Sequence, residues 1–235
     1  MIEITVHDAS GKPTGKVEVD EQLLGGEVRH ALLKQAYVRY HANRRLGTAK
    51  TKSRSETSYS TKKLYKQKGT GNARRGDRGA NILRGGGRAM AKRPRSFRQD
   101  MPRQMRRLAN RNALLAKAVD NEIKLFEGVS FDKPSTKQFK SLADALGIDR
   151  TCLYATEDTR TPTVASARNL DDIDVTQIDR LNVFDVLNHR YLIADRAEFE
   201  AYLGRLEDKA SHRKVADVSA DDITQAAEAA SQQGA

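Results

Sequence analysis

The chain of 235 residues has one cysteine, no tryptophan and five prolines, and none of its apolar runs approaches the ~20 residues of a membrane span. A single cysteine excludes an internal disulfide and a cysteine-based zinc site. We predict that this residue, Cys152, is a small buried core residue. The N-terminus, Met1–Val6, also lacks the basic and apolar blocks of a signal peptide. These absences predict a cytoplasmic protein that has no membrane partner.

Motifs for catalysis and for metal binding are lacking too. The five histidines form no ligand pair at helical spacing, and no serine lies in a nucleophile elbow. Gly71 and Gly76 have the spacing of a phosphate loop, but Asp77-Arg78 follows where Lys and Ser or Thr are required. A dinucleotide fingerprint beginning at Gly69 fails because Arg74 occupies its third glycine position. We therefore expect no enzymatic activity, no metal, no cofactor and no small-molecule substrate.

What the chain has in excess is positive charge, concentrated in one stretch. Between Arg44 and Arg111 there are 22 Lys and Arg against 3 Asp and Glu, whereas the whole chain has a net charge of +11. The remainder is therefore acidic. A stretch with this charge and no apolar run cannot build a core, and it stays extended until a polyanion neutralises it. It is either a solvated charge run or a nucleic-acid-binding arm, and its length inside a domain favours the arm.

The aromatic residues of this stretch, Tyr59, Tyr65 and Phe97, alternate with lysine and arginine. Such rings either stack on unpaired bases or lie in a groove, or they make contacts within the arm at its base. No helix-turn-helix, zinc finger or basic zipper accompanies them, which favours RNA over duplex DNA.

Hydrophobic periodicity predicts alternating strands and helices outside the arm. Ile2, Ile4 and Val6 indicate a strand that forms a hairpin with Lys16–Val19. Further strands are predicted at Ile123–Phe126, Leu153–Ala155 and Tyr191–Ala194. Helices are predicted over 27–43, from Pro102 to Val119, over 135–146 and 164–169, from Asn182 to Leu187, and from Asp195 to Leu206. The apolar face of the helix after Pro102 is predicted to comprise Met105, Leu108, Ala109, Leu115, Ala116 and Val119.

Two helix starts have the capping-box pattern, Ser135-Thr-Lys-Gln138 and Asp195-Arg-Ala-Glu198. The alternation of strands and helices predicts an α/β fold, a mainly parallel sheet with helices on both faces, interrupted by a long extended basic arm. The predicted domains are a globular body (1–43 and 99–206), the inserted arm (44–98) and an acidic, Ala-rich, loosely ordered tail (207–235). One helix is predicted within the tail, over 220–230.

Several blocks of the chain resemble one known family. Lys62-Lys63, followed by Gln67-Lys-Gly-Thr-Gly71 and Ala73-Arg74, is similar to the arm signature of the bacterial large-subunit ribosomal protein L four family. Further similar blocks follow in the family's order: Ala42–Thr48, Arg84–Gly87, Pro94-Arg95, Arg106–Ala109, Ser166–Leu170 and Leu181–Leu187. The resemblance spans about residues 1–206. The chain departs from it at Tyr65, Lys66 and Asn72, where the family commonly has Trp, Arg and Arg, and near Met90, where it has an aromatic residue.

This resemblance implies a structural constituent of the large ribosomal subunit that binds 23S rRNA and supports early subunit assembly. The tip of the arm, Gln67, Lys68, Gly69, Thr70 and Gly71, would line the polypeptide exit tunnel. The implied partners are 23S rRNA, neighbouring large-subunit proteins and the nascent polypeptide. The alternative is a free RNA-binding regulator, an autogenous repressor or a transcription antitermination partner of a ribosomal-protein operon.

The residues expected to bind rRNA are mostly cations of the arm, together with three arginines on the following helix, whose basic face either meets phosphates or is solvated. They are Arg44, Arg45, Lys50, Lys52, Arg54, Lys62, Lys63, Tyr65, Lys66, Lys68, Arg74, Arg75, Arg78, Arg84, Arg88, Lys92, Arg93, Arg95, Arg103, Arg106 and Arg107.

Overall fold

The computed structural model describes residues 1–129 and 131–208, which form two compact units. The body unit comprises residues 1–38 and the described residues from 101 onward, and the arm unit comprises residues 39–100. The predicted arm, 44–98, falls within the second unit. The tail helix predicted over 220–230 lies outside the described residues.

The body unit contains a six-stranded sheet. Its strands are β1 (Ile2–His7), β2 (Pro13–Val19), β3 (Ile123–Phe126), β4 (Cys152–Thr156), β5 (Ile173–Gln177) and β6 (Tyr191–Asp195). They are arranged in the order β2-β1-β3-β6-β4-β5. The β1–β2 hairpin is antiparallel, and the other neighbouring strands pair in parallel. The predicted hairpin and the mainly parallel sheet are both confirmed.

Among the residues that the structure describes, six helices accompany the strands. They are α1 (His30–Asn43), α2 (Arg103–Val119), α3 (Thr136–Ala145), α4 (Pro162–Ala167), α5 (Val183–Asn188) and α6, which covers 196–208 up to the last described residue. Short 3₁₀ turns occur at Arg54–Glu56 and Ile178–Arg180. Each helix predicted from periodicity within the described residues is present, with its ends within a few residues of the predicted ones.

The two faces of the sheet bury different sets of side chains, because neighbouring residues of a strand point to opposite faces. Leu153 and Ala155 of β4 pack in one apolar cluster with residues of α1, α2, α5 and α6. Cys152 and Tyr154 pack in the other, with residues of α3 and α4. Helices therefore cover both faces, as predicted. Cys152 is fully buried, which confirms the prediction made for it, and burial raises the pKa of its thiol far above the ordinary value.

Strand β5 was not predicted. It lies at the edge of the sheet and pairs with β4 alone, and only Ile173 of its five residues is fully buried. A strand that is paired along one edge and buries little apolar surface shows only a weak alternation of apolar and polar residues in its sequence.

The prediction of which residues form the apolar face of α2 is partly wrong. Val119 is 54% exposed and Ala116 is half-buried. The buried residues of this helix are Ala109, Asn112, Ala113, Leu114, Leu115, Lys117 and Ala118. Two of them are polar, and both have partners: Lys117 donates to Glu122 Oε2 at 2.6 Å and to the Arg190 carbonyl at 2.8 Å. A pattern of apolar residues alone cannot find a face that includes satisfied polar groups.

Neither predicted capping box forms its reciprocal bonds. At α3 the Ser135 N–H donates to the Ser166 hydroxyl at 2.8 Å, so it is not available to Gln138, and the Ser135 side chain does not cap the helix. At α6 the Asp195 carboxylate accepts from the Ala197 N–H at 2.9 Å, while Glu198 bonds to the end of β4. The helices start where the pattern predicts, but groups that would form the capping boxes bond instead to residues distant in sequence.

Candidate nucleic-acid interface

The arm unit has far more cations than its own carboxylates can pair. It contains 19 Lys and Arg and only three acids, Glu56, Asp77 and Asp100. Each acid has a basic neighbour within the unit: Lys50 lies 3.1 Å from Glu56, Arg54 lies 3.3 Å from Asp77, and Arg98 lies 3.4 Å from Asp100. The carboxylates of this unit therefore leave most of its positive charge uncompensated.

The arm doubles back on itself, so that its first and last parts run side by side. The Asn43 amide bonds both backbone groups of Gln99, and the Arg95 N–H donates to the Gly47 carbonyl at 3.1 Å. Further along, the Thr51 N–H donates to the Lys92 carbonyl at 3.0 Å. These bonds join residues about forty to fifty-five positions apart, as the loop-closing contacts of a long insertion do.

Phe97 sits between two of the predicted rRNA-binding residues. The guanidinium of Arg45 lies 4.0 Å from the ring centroid and that of Arg95 lies 4.4 Å from it. Such cation–π contacts fix the position of a long basic side chain that would otherwise be mobile. The ring therefore holds two guanidinium groups near the base of the arm.

Glycines allow a tight turn in the middle of the arm. A Cβ atom at Gly79 would fall 2.1 Å from the ring of Tyr59, and one at Gly87 would fall 2.4 Å from the Arg54 nitrogen. Within the described part of the arm these two glycines are its buried residues. The Arg88 N–H also donates to the Lys52 carbonyl at 3.0 Å. This region, built on close backbone contact instead of an apolar core, is called the arm turn below (residues 52–61 and 77–93).

The predicted tip lies in the distal loop. The Leu64 N–H donates to the Gly76 carbonyl at 3.0 Å, and the Tyr65 hydroxyl donates to the Ala73 carbonyl. Residues 67–71 lie within the loop that these bonds close, and all five are exposed. Gly69 and Gly71 have φ angles of +86° and +69°, a conformation that glycine adopts without strain.

All 17 predicted cations between Arg44 and Arg95 have exposed side chains, and Tyr65 is half-buried. On α2, Arg103 and Arg107 are exposed, whereas Arg106 is half-buried. The three aromatic residues of the arm make contacts within it: Tyr59 with Gly79, Tyr65 with Ala73 and Phe97 with its two arginines. Contacts within the arm are one of the alternatives that the sequence left open for these rings, and stacking on unpaired bases stays a prediction.

Sequence reasoning missed the polar residues that line the arm turn, above all Asn81. A cavity of about 930 Å³ opens there, lined by residues including Arg54, Tyr59, Asn81, Arg88, Met90 and Arg93. No spacing rule could have found it, because the lining comes from two distant parts of the chain. Across the described residues, no helix is long and apolar enough to cross a membrane, and no cluster of three or more potential metal ligands occurs.

The fold and this interface together define a class of protein, an α/β domain with an inserted polycationic arm. The sequence model of the ribosomal protein L4/L1 family matches residues 17–205, and the chain belongs to this family. A large ribosomal subunit protein uL4 of Dehalococcoides mccartyi (strain CBDB1) is 38% identical over 192 residues, which cover 82% of this chain and 91% of that protein. The protein of the same name from Desulfatibacillum aliphaticivorans is 36% identical over 206 residues, which cover 88% of this chain and all of that protein.

The family assignment decides several of the predictions made above. The resemblance to the ribosomal protein L four family is confirmed. Members of this family are structural components of the ribosome, so the chain is a cytoplasmic ribosomal protein and not an enzyme.

Proposed function

We propose that the chain is a structural constituent of the large ribosomal subunit that binds 23S rRNA through its arm and supports early subunit assembly. The observation that carries the proposal is the set of 17 exposed arm cations in a unit with three carboxylates of its own. A nucleic acid is a suitable partner for such a surface, because condensed counterions are released from each phosphate that the cations of the arm neutralise.

We further propose that the tip, residues 67–71, lies at the polypeptide exit tunnel, close to the nascent polypeptide and to the site of macrolide antibiotics. Support comes from its place at the closed end of the doubled-back arm and from the positive φ angles of Gly69 and Gly71, which permit close backbone approach to RNA. The body unit, which carries the acidic remainder of the chain, would face neighbouring large-subunit proteins.

Both proposals can be tested in cells whose only copy of the protein is Lys68→Glu. Reversing one charge in a phosphate field should displace the tip, while the other arm cations keep the protein in the subunit. We expect a normal large-subunit peak on sedimentation, with the variant protein in it, and an altered macrolide sensitivity. Lys140→Glu, a charge reversal at another exposed lysine, on α3, should leave both unchanged.

The two readouts separate the proposals. If the wild-type protein is found mainly outside the large subunit at moderate salt, the structural role is wrong and a free RNA-binding regulator is favoured. If the Lys68→Glu subunits form normally but their macrolide sensitivity matches that of wild type, the tip does not lie at the tunnel.

A further inference from the structure

The cavity of the arm turn has the size of a site for a single organic group. Its volume of about 930 Å³ falls within the roughly 300–1,000 Å³ of ordinary ligand pockets. Its lining comes from two segments of the chain: Arg54, Thr57 and Tyr59 belong to the first, and Asn81, Met90 and Arg93 to the second. The cavity lies wholly within the arm unit.

The walls of this cavity are held by contacts of the arm with itself. Gly79 lies against the ring of Tyr59, and Gly87 against the backbone of Arg54. Arg54 is also paired with Asp77, whose side chain is only 12% exposed. The Thr57 hydroxyl donates to the Ser53 carbonyl at 3.1 Å. Because these groups are already engaged, the cavity exists before any partner binds, and the backbone around it need not be ordered on binding.

Other groups of the lining remain available to a ligand. Within the part of the chain that the structure describes, the Asn81 amide is exposed and makes no hydrogen bond, and the Met90 side chain is 95% exposed. Arg88 and Arg93 are exposed at the same cavity. The lining thus offers an aromatic ring, an apolar thioether, an amide with both donor and acceptor atoms, and two cations.

We propose that this cavity receives one unpaired nucleotide of the rRNA. This inference rests on the proposed function and names the part of the RNA that the arm recognises. The base lies against Tyr59 and Met90, the Asn81 amide pairs with its edge, and Arg88 and Arg93 contact the phosphates on either side. Only an unpaired base presents its face and its edge in this way, because the bases of an A-form helix are stacked inside it.

Other ligands fit the lining less well. An acidic peptide would satisfy the arginines but would leave the amide and the aromatic wall unused. A regular RNA duplex would contact the arginines through its phosphates and could not enter the cavity. An amide is also a suitable reader of a base, because it donates and accepts at the same time.

The experiment compares large subunits from cells that carry wild type, Asn81→Ala or Met90→Ala as the only copy, by chemical probing of the 23S rRNA. Both residues are exposed, so neither substitution should affect folding. In wild-type subunits one unpaired nucleotide should be protected, and its reactivity should rise about threefold to tenfold in Asn81→Ala, as expected for the loss of one hydrogen bond. Met90→Ala should raise the reactivity of the same nucleotide.

Ile82→Ala is the matched control, since Ile82 is 88% exposed, is adjacent to Asn81 in sequence, and is not part of the lining. It should leave the probing pattern unchanged. The inference fails if Asn81→Ala raises the reactivity of no unpaired nucleotide, or if Ile82→Ala raises the reactivity of the same nucleotide. It also fails if the Asn81→Ala protein is absent from large subunits while the Met90→Ala and Ile82→Ala proteins are present. These outcomes leave the proposed function intact, whereas absence of the wild-type protein from subunits would overturn the proposed function itself.

Discussion

At the scale of single residues, two asparagines attach α2 to the rest of the body unit. The fully buried Asn112 accepts from the Arg29 N–H at 2.6 Å and donates to the Glu27 carbonyl. Asn110 accepts from the Val183 N–H at 3.2 Å and donates to the Leu181 carbonyl at 3.2 Å. Each amide thus satisfies one backbone donor and one backbone acceptor, next to α1 and at the start of α5.

Replacing Asn112 should show how much one such amide contributes to the free energy of unfolding. Asn112→Ala leaves the Arg29 N–H and the Glu27 carbonyl without their partner in a partly buried place, and we expect it to lower the free energy of unfolding by about 1–3 kcal/mol. Urea unfolding measures the difference. Gln104→Ala, an exposed amide on the same helix, is the control and should change stability by less than about 0.5 kcal/mol. Equal effects of the two substitutions would contradict this role for Asn112.

Buried polar residues such as these differ from the apolar core in how far the sequence predicts them. The positions of most strands and helices follow from apolar periodicity, and the sequence also predicts that Cys152 is buried. Asn112 and Lys117 do not, because a buried polar residue is stable only through partners that lie far away in sequence. The same holds for the cavity of the arm turn, whereas the basic character of the arm can be read from composition alone.

At the scale of elements, the start of α6 is tied to the end of β4 through Glu198. Its carboxylate accepts from the Thr156 hydroxyl at 3.2 Å and from the Glu157 N–H at 3.0 Å. Burial raises the pKa of Glu198 above its ordinary value of 4.5, and the two hydrogen bonds offset part of that effect. The local sequence pattern predicts a capping role for this residue, but its carboxylate bonds instead to donors at the end of the neighbouring parallel strand.

The raised pKa of Glu198 predicts how the free energy of unfolding depends on pH. Because the folded state holds the Glu198 proton more tightly than the unfolded state does, the stability contributed by this proton is complete below about pH 4.5 and is lost as the pH rises through the raised pKa. The free energy of unfolding of wild type relative to Glu198→Gln should therefore increase as the pH is lowered from about 7 to about 4.5. Urea unfolding of both proteins across this range provides the measurement, and a difference that stays constant or declines would contradict the prediction.

At the scale of the whole molecule, the residues that stabilise the fold and the residues that carry the excess positive charge lie in different units. The apolar clusters lie in the body unit, whereas the excess of cations lies in the arm unit. Among the described residues, the arm contributes no member to the buried clusters. Folding of the body and binding by the arm should therefore respond to different changes.

A shortened arm tests this separation. The Arg88 N–H already bonds the Lys52 carbonyl, so a short glycine turn can replace residues 53–87. The variant should keep the unfolding transition of the body, but it should bind 23S rRNA with a smaller dependence on salt, since each lost phosphate contact reduces the slope of log K against log salt by about 0.7–0.9. A variant with Lys137 and Lys140 replaced by alanine should keep the full slope. Loss of the body's unfolding transition on shortening would show that the arm is part of the folded core.

The hydrogen bonds that join Asn43 to Gln99 and Gly47 to Arg95 have a consequence for the evolution of the chain. They close the arm near its base. The entropic free-energy cost of closing a loop grows with the logarithm of its length, by about 0.6 kcal/mol for each doubling. Insertions or deletions between Tyr65 and Ala73 thus have little effect on the stability of the body. Lineages can therefore change how far the arm reaches while the α/β domain stays as it is.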